Sequence, residues 1–179
     1  MPHRKTRPTP YRANGHGIDG NSRRFAVDPL KQLDALDWAI LRELQTDGRI
    51  AFAELGRRVG LGPSSVAERV RGLEDAGVIR GYRAELDAER IGLPITAFVR
   101  VRSHPGSADA FQRLVEDLPE VVECHHVTGE DCYLVKVVGR SIRHLEETTT
   151  QLASHGQTTT AVVFSTVVER RVIDREPAG

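Results

Sequence analysis

Residues 51–76, AFAELGRRVGLGPSSVAERVRGLEDA, decide how the first half of this 179-residue chain folds. Apolar residues recur every three or four positions on both sides of Gly60-Leu61-Gly62-Pro63, which indicates two helices separated by a short break. Glycine is favoured just past the end of a helix and proline at its first position, so we expect helices over about 51–59 and 63–76. The residues predicted to be buried are Phe52, Leu55 and Val59 in the first helix and Val66, Val70 and Leu73 in the second.

Another helix is predicted just before this pair. Its apolar stripe has the same spacing and comprises Leu33, Leu36, Ile40 and Leu44. Asp34 and Asp37 lie in its first turn, where the helix dipole favours anions, and Gly48 ends it. Three short helices with a glycine-containing break between the second and third are typical of a helix-turn-helix domain, whose third helix enters the major groove of DNA.

The outward surface of the third helix carries side chains that suit DNA. With the apolar stripe turned inward, the outward residues are Ser64, Ser65, Glu68, Arg69 and Arg71. Hydroxyl, carboxylate and guanidinium groups hydrogen-bond to bases and phosphates. The next stretch, residues 78–84, predicts a hairpin-like extended wing on the phosphate backbone, carrying Arg80, Tyr82 and Arg83. A three-helix bundle used only for protein contacts has the same spacing and is the alternative interpretation.

The second half of the chain has a different periodicity. Strands are predicted at 95–101, 121–127, 132–138 and 160–168, and helices at 107–118 and 141–153. The resulting order, β-α-β-β-α-β, is that of the ferredoxin-like fold, so the fold class is α+β with an N-terminal winged helix-turn-helix domain. We divide the chain into a disordered basic arm (1–28), the helix-turn-helix domain with its wing (29–84), a linker (85–93) and the ferredoxin-like domain (94–173).

Composition and charge narrow the classes of function. Hydrophobic residues make up 39% and charged residues 28% of the chain, as in globular proteins, and the 5% of aromatic residues leave little material for base stacking on single strands. The net charge of zero hides +4 over residues 1–28 and −5 over residues 84–179, which suggests a polyanionic partner at one end only. With no secretory signal and no long apolar run, we expect a cytoplasmic protein with no membrane partner.

Known catalytic motifs are missing from the sequence, and a cluster of possible metal ligands has unsuitable spacing. We find no Walker lysine motif, dinucleotide-binding glycine motif, nucleophile elbow or HExxH motif, and we predict that the chain is not an enzyme. Cys124, His125, His126 and Cys132 suggest zinc ligands. If Val127 lies opposite Cys132 across a turn, the two cysteines point to opposite faces of the sheet. We therefore predict neither a metal site nor a disulfide.

Three stretches together resemble one family of regulators. Residues 33–87, LDALDWAILRELQTDGRIAFAELGRRVGLGPSSVAERVRGLEDAGVIRGYRAELD, resemble the helix-turn-helix domain of the Lrp/AsnC family, the feast/famine regulators of bacteria and archaea. Residues 121–137, VVECHHVTGEDCYLVKV, and 156–171, GQTTTAVVFSTVVERR, are similar to a hairpin and the last strand of that family's second domain. The resemblance covers about residues 30–173, in the order that the family has.

The resemblance implies a DNA-binding regulator with a small-molecule effector. It implies a ferredoxin-like effector and assembly domain that dimerises through its sheets, further assembly into octamers or similar discs, and amino-acid effectors bound between subunits. The family's recognition-helix positions fall on the five outward residues of the third helix. Its effector loop falls on Val127, Thr128, Gly129, Glu130, Asp131 and Tyr133, with Thr160 and Ser165 on the facing strand.

The chemistry of the loop fits an amino acid. Gly129 would let backbone N–H groups meet a carboxylate, and Asp131 would pair with an α-ammonium. A tight hairpin turn, in which Gly129 only sets the conformation and Asp131 only caps, is the alternative. We expect a sequence-specific regulator of double-stranded DNA with an amino-acid effector and no other cofactor; the alternative is an amino-acid sensor whose helical module is a protein adaptor.

Two features depart from the family's pattern. Gly72 stands where the family often has a second basic residue, which removes a possible phosphate contact. The basic arm at residues 1–28 is longer than the family needs. We expect it to add non-specific affinity for DNA; the alternative is that it is only a ragged start of the chain.

Overall fold

The computed structural model describes residues 33–129 and 132–174. The predictions for the arm at residues 1–28, and for Glu130 and Asp131, lie outside these described residues. The chain forms two compact units, of which one ends at Gly81 and takes in Ile173 and Asp174, and the other spans Tyr82–Val172. No helix in the described part of the chain is long and apolar enough to cross a bilayer.

The first unit has the three predicted helices: α1 (Ala35–Thr46), α2 (Phe52–Val59) and α3 (Pro63–Asp75). Asp34 caps α1 by accepting a hydrogen bond from the Asp37 N–H, and the Asp37 side chain accepts one from the Asp34 N–H. Gly60 ends α2 with φ 74°, a left-handed conformation that favours glycine. The predicted start of α3 at Pro63 is confirmed.

The core of this unit contains the predicted α3 stripe. Its buried members are Ile40, Leu55, Val66, Val70 and Leu73. Phe52 was predicted to be buried, which is wrong: it is 42% exposed. It is the first residue of α2, and the buried stripe of that helix begins one turn further along, at Leu55.

The predicted hairpin-like wing at residues 78–84 is also wrong, because this segment contains no strand. Gly77 follows α3 with φ 70°. The N–H groups of Val78 and Ile79 both donate to the Leu73 carbonyl, at 2.9 and 3.1 Å, so they complete the end of α3 rather than pair with a strand. Their side chains pack against the helical core.

The second unit is a four-stranded antiparallel sheet with two helices. Its elements are β1 (Ile95–Ser103), α4 (Ala108–Asp117), β2 (Val121–His126), β3 (Tyr133–Gly139), α5 (Ile142–Ala153) and β4 (Gly156–Val162). The strand order is β2-β3-β1-β4, and the β-α-β-β-α-β sequence of elements is as predicted. The buried sides of the two central strands meet helix residues in one core: Ala97, Val99, Val101, Tyr133, Val135, Val137, Phe111, Leu145 and Leu152.

The last strand lies earlier in the chain than the predicted 160–168. It begins at Gly156, which pairs with Ser103 and approaches β1 so closely that a Cβ would overlap the Arg102 carbonyl oxygen. The chain leaves the sheet after the Val163 N–H donates to the Thr96 carbonyl at 2.8 Å. The apolar residues beyond this point are exposed, and Phe164 is 101% exposed. We predicted that the apolar residues from 163 onward belong to the last strand. The strand instead contains the threonines at 158–160.

Candidate DNA and effector sites

The exposed face of α3 carries four of the five residues predicted to meet DNA: Ser64, Ser65, Glu68 and Arg71. The opposite face is the buried stripe of Val66, Val70 and Leu73. Pro63 is the first residue of α3 and fixes where the helix begins, so the two serines lie in its first turn. This arrangement presents hydroxyl, carboxylate and guanidinium groups on one surface of one helix.

The prediction that Arg69 points outward is wrong. Its Nη1 donates to Asp34 Oδ2 at 2.8 Å and to Asp37 Oδ1 at 2.7 Å, so its guanidinium lies against α1. The Asp37 side chain is only 2% exposed, whereas that of Arg69 is 31% exposed. A buried carboxylate is stable only with hydrogen-bonded partners, and Arg69 supplies the cation.

Within this cluster of Asp34, Asp37 and Arg69, the contacts favour the ionised forms of Asp34 and Arg69. The Asp37 N–H first, and then the Arg69 guanidinium, lower the pKa of Asp34 below its usual value. Asp34, followed by Asp37, raises the pKa of Arg69. The cluster therefore joins the N-terminal end of α1 to the middle of α3 through charge-assisted hydrogen bonds. Its effect is to fix the helix that carries the exposed face.

Two exposed arginines on α2 were not predicted from the sequence. Arg57 and Arg58 both bond Glu54, with Nε–Oε distances of 2.8 Å, and Arg58 Nη1 also donates to Glu43 at 2.8 Å. Arg57, followed by Arg58, lowers the pKa of Glu54 to about 2. The first helix of a helix-turn-helix pair crosses the DNA backbone, so adjacent arginines at the end of the predicted α2 are the signal that could have found them.

The three predicted wing residues are not brought together as a wing. Arg80 belongs to the helical unit, whereas Tyr82 and Arg83 belong to the sheet unit. All three are exposed, with Tyr82 at 50%.

The predicted effector loop begins where β2 ends. The Val127 N–H donates to the Cys132 carbonyl at 2.9 Å, which closes the turn between β2 and β3. Gly129 has φ 115°, which L side chains rarely adopt, and Thr128 beside it is exposed. Glu130 and Asp131 are outside the described residues. Val127, Thr128 and Gly129 are therefore neighbours at one end of the hairpin.

The other predicted effector residues lie elsewhere. Tyr133 is 3% exposed, and its ring centroid is 4.6 Å from that of Phe111, so it is a core residue beneath α4. Thr160 lies on β4 opposite Val99, and β1 separates β4 from the β2–β3 hairpin. Ser165 is exposed and lies past the end of β4. Ser165 therefore does not lie on a strand, contrary to the expectation, and within one copy of the chain β1 separates Thr160 from the loop.

The cysteine and histidine cluster has the predicted register, with Cys124 opposite Val135. Desolvation raises the pKa of the Cys124 thiol to about 11, which disfavours its thiolate form. Among residues 33–129 and 132–174, no group of three or more His, Cys, Asp or Glu side chains could hold a metal ion. His125 Nε2 lies 3.4 Å from Glu123 Oε2, and Glu123 Oε1 accepts a hydrogen bond from Lys136 Nζ.

Comparison with known proteins places both units in one family. The AsnC-type helix-turn-helix domain matches residues 33–74, and the Lrp/AsnC ligand binding domain matches residues 96–173. The chain is 35% identical over 136 residues to the HTH-type transcriptional regulator LrpC of Bacillus subtilis, covering 76% of this chain and 94% of that protein. It is 40% identical over 146 residues to the leucine-responsive regulatory protein of Escherichia coli K12, and the match covers 78% of this chain and 89% of that protein.

Solved structures agree with the fold. The B. subtilis LrpC structure superimposes with a TM-score of 0.75 at 34% identity, covering 78% of this chain and all of that one. A transcriptional regulator from Neisseria meningitidis, solved as an L-Met complex, has a TM-score of 0.75 at 33% identity and covers 79% and 96%. These relatives are transcriptional regulators and not enzymes. The chain therefore belongs to the Lrp/AsnC family of transcriptional regulators, with a DNA-binding helix-turn-helix domain and a ligand-binding domain.

Proposed function

We propose that this regulator reads specific DNA sequences through the exposed face of α3. The observation that carries the proposal is the separation of faces on this helix: Ser64, Ser65, Glu68 and Arg71 are exposed, while its apolar stripe and Arg69 hold it against the rest of the unit. Direct readout needs side chains of this kind on a helix of fixed position. A protein adaptor would not need that chemistry.

Phosphate contacts fall to basic residues flanking α3. Arg57 of α2 is 74% exposed in its side chain, and Arg80 follows the end of α3. Arg83 is proposed as a further phosphate contact and Tyr82 as a neutral donor. Glu54 accompanies Arg57, so DNA phosphate would compete with this carboxylate for the guanidinium.

The DNA proposal is tested by selecting duplexes from a random library with the full chain and measuring affinity by fluorescence anisotropy. Specific binding should weaken steeply as salt rises, because phosphate neutralisation releases counterions. Glu68→Ala should weaken the selected duplex about tenfold and random duplex much less, since a lost base contact typically costs about 1–3 kcal/mol of discrimination. Glu146→Ala, at an exposed position of α5, is the control. Salt-independent binding, or no selected sequence, would refute DNA reading.

The effector is proposed to be an amino acid. The L-Met complex of the Neisseria relative and the left-handed Gly129 support this class of ligand, because a glycine in this conformation would let backbone N–H groups meet a carboxylate. Asp131 is the proposed partner of the α-ammonium. Thr160 would reach the ligand only from a second copy, since β1 lies between β4 and the loop. Ser165, past the end of β4, is proposed to reach it from the same second copy.

Assembly into dimers, and then into octamers or similar discs, is proposed to bring those copies together. Two features support contact between copies: the sheet side away from the helices exposes Phe98 at 37%, and the segment after β4 exposes Phe164 and Val167 at 101% and 94%. Apolar surface of this kind favours association. With DNA as its partner, the proposed location is the cytoplasm.

Calorimetry with each of the twenty amino acids, beginning with L-methionine, tests the effector proposal. Asp131→Ala should lower the affinity at least about tenfold, because a charge-assisted hydrogen bond contributes roughly 1.5–3 kcal/mol. Asp109→Ala, at an exposed position of α4, should leave it unchanged. Light scattering on the same samples shows whether ligand shifts the assembly. Equal affinity in the Asp131 variant would refute the contact.

A further inference from the structure

The end of the described chain is bound to the first helix of the DNA-binding unit. Gln45 of α1 makes two hydrogen bonds with the backbone of Ile173: its Oε1 accepts from the N–H, and its Nε2 donates to the carbonyl, both at 2.9 Å. Three residues earlier on the helix, Arg42 Nε lies 3.1 Å from Asp174 Oδ2. Two neighbouring residues of α1 therefore bind two neighbouring residues near the end of the chain.

The contact recognises backbone and charge rather than an apolar side chain. A carboxamide offers one acceptor and one donor, which match the two polar groups of a peptide residue. Gln45 Nε2 also donates to the Leu41 carbonyl at 3.1 Å, which orients the amide. Ile173 is 73% exposed, so its side chain adds little buried apolar area to the contact. A contact made of a few exposed polar bonds opens and closes easily.

The path of the chain gives this contact a consequence. The chain leaves the helical unit after Gly81, forms the sheet unit, and rejoins the helical unit at Ile173. The helical unit is thus attached at two points, by its covalent linker and by the Gln45–Ile173 contact. The helix that binds Ile173 also carries Asp37, which holds Arg69 of α3.

We propose that Arg42 and Gln45 form a docking site for the chain's own C-terminal segment, Ile173–Asp174, and that the docked segment is a strap that favours DNA binding. A second attachment restricts the orientations of the helical unit before it meets DNA, so less freedom is lost on binding. The effect on DNA rests on the proposed function. Ser165, a proposed effector contact, lies between the end of β4 and Ile173. The same segment would therefore both contact the effector and form the strap.

Hydrogen exchange of the full-length protein tests the dock without DNA. In Gln45→Ala, the peptide covering residues 168–174 should exchange about tenfold faster, since two hydrogen bonds are lost. Gln151→Ala, an exposed glutamine of α5, should leave that peptide unchanged. Charge exchange gives an independent check: Arg42→Asp and Asp174→Arg should each speed exchange, and the double variant should restore most of the protection.

The effect on DNA is measured by anisotropy on a duplex selected by the wild type. Gln45→Ala should bind about threefold more weakly, as expected for partial loss of preorganisation. Unchanged exchange in Gln45→Ala would overturn the dock. Faster exchange with equal or tighter DNA binding would overturn the strap. If the wild type binds no DNA, the proposed function fails, and with it the effect of the strap on DNA, while exchange still decides the dock.

Discussion

The two sides of α3 carry arginines only two residues apart, and these have different surroundings. Arg69 donates to Asp34 and to the buried Asp37, whereas Arg71 lies on the exposed face with Glu68. A recognition helix has to be held in place and also has to present hydrogen-bond donors to DNA. On α3, Arg69 meets the first requirement and Arg71 the second, within a single turn. The role of an arginine on this helix therefore depends on which side chains the neighbouring helix places within its reach.

The stability of the helical unit should be most sensitive to substitution of Gly56, the residue of α2 that lies closest to the backbone leading into α3. Gly56 is buried, and a Cβ there would overlap the Leu61 carbonyl oxygen and lie 3.4 Å from Val66 Cγ2. Gly56→Ala should therefore lower the free energy of unfolding of the helical unit by about 3 kcal/mol, as overpacking does. Urea unfolding followed by the fluorescence of Trp38, the single tryptophan and part of α1, measures this.

A matched glycine six residues away is the control. Gly62 has no atoms within 4 Å of its virtual Cβ and a φ of −69°. Gly62→Ala should therefore lower the free energy of unfolding by about 1 kcal/mol or less, since the only loss is that alanine is a poorer N-cap than glycine. Equal losses in the two variants would show that the close approach of Gly56 to Leu61 does not limit stability.

Replacing each arginine by methionine should change the free energy of unfolding by different amounts. Arg69→Met leaves the buried Asp37 carboxylate without its cation and should lower the free energy of unfolding by about 2 kcal/mol. Arg71→Met, on the exposed face, should change it by less than about 0.5 kcal/mol. The same Trp38 measurement tests both. Equal effects would mean that the cluster with α1 contributes no more than an exposed charge.

Sequence was most informative where glycine and proline mark boundaries. Gly60 and Pro63 fix the end of α2 and the start of α3, and both were predicted because backbone conformation there depends on residue type. Periodicity also predicted the buried stripe of α3. It could not predict the partners of Arg69, since it gives a direction around the helix and not the carboxylates of α1.

The sheet unit was harder to predict at its last strand. Gly156 and the threonines at 158–160 pair with β1, while the more apolar run from 163 lies outside the sheet. A strand's boundaries depend on the partner's register, which residue propensities do not contain. The effector loop followed from resemblance, but its predicted companion Thr160 is separated from it by β1. The order of strands in a sheet likewise cannot be predicted from the residues of each strand alone.

A smaller effect is expected from acid on the surface of α2. Arg57, and then Arg58, lower the pKa of Glu54 from 4.5 to about 2, so this carboxylate stabilises the folded state above its ordinary pKa. That contribution should be lost as pH falls from about 4.5 towards 2. Glu54→Gln should therefore flatten the pH dependence of unfolding in this window. Identical pH profiles for wild type and Glu54→Gln would contradict the role of the pair.

The most direct test of the division on α3 is the DNA affinity of Arg69→Met and Arg71→Met under conditions where both are folded. Each is measured by anisotropy on a duplex selected by the wild type and on random duplex, at one salt concentration. Arg71→Met should bind the selected duplex about tenfold more weakly, as for a lost base or phosphate contact, and Arg69→Met should lose less than about threefold on either duplex. A larger, sequence-selective loss in folded Arg69→Met than in Arg71→Met would contradict the account.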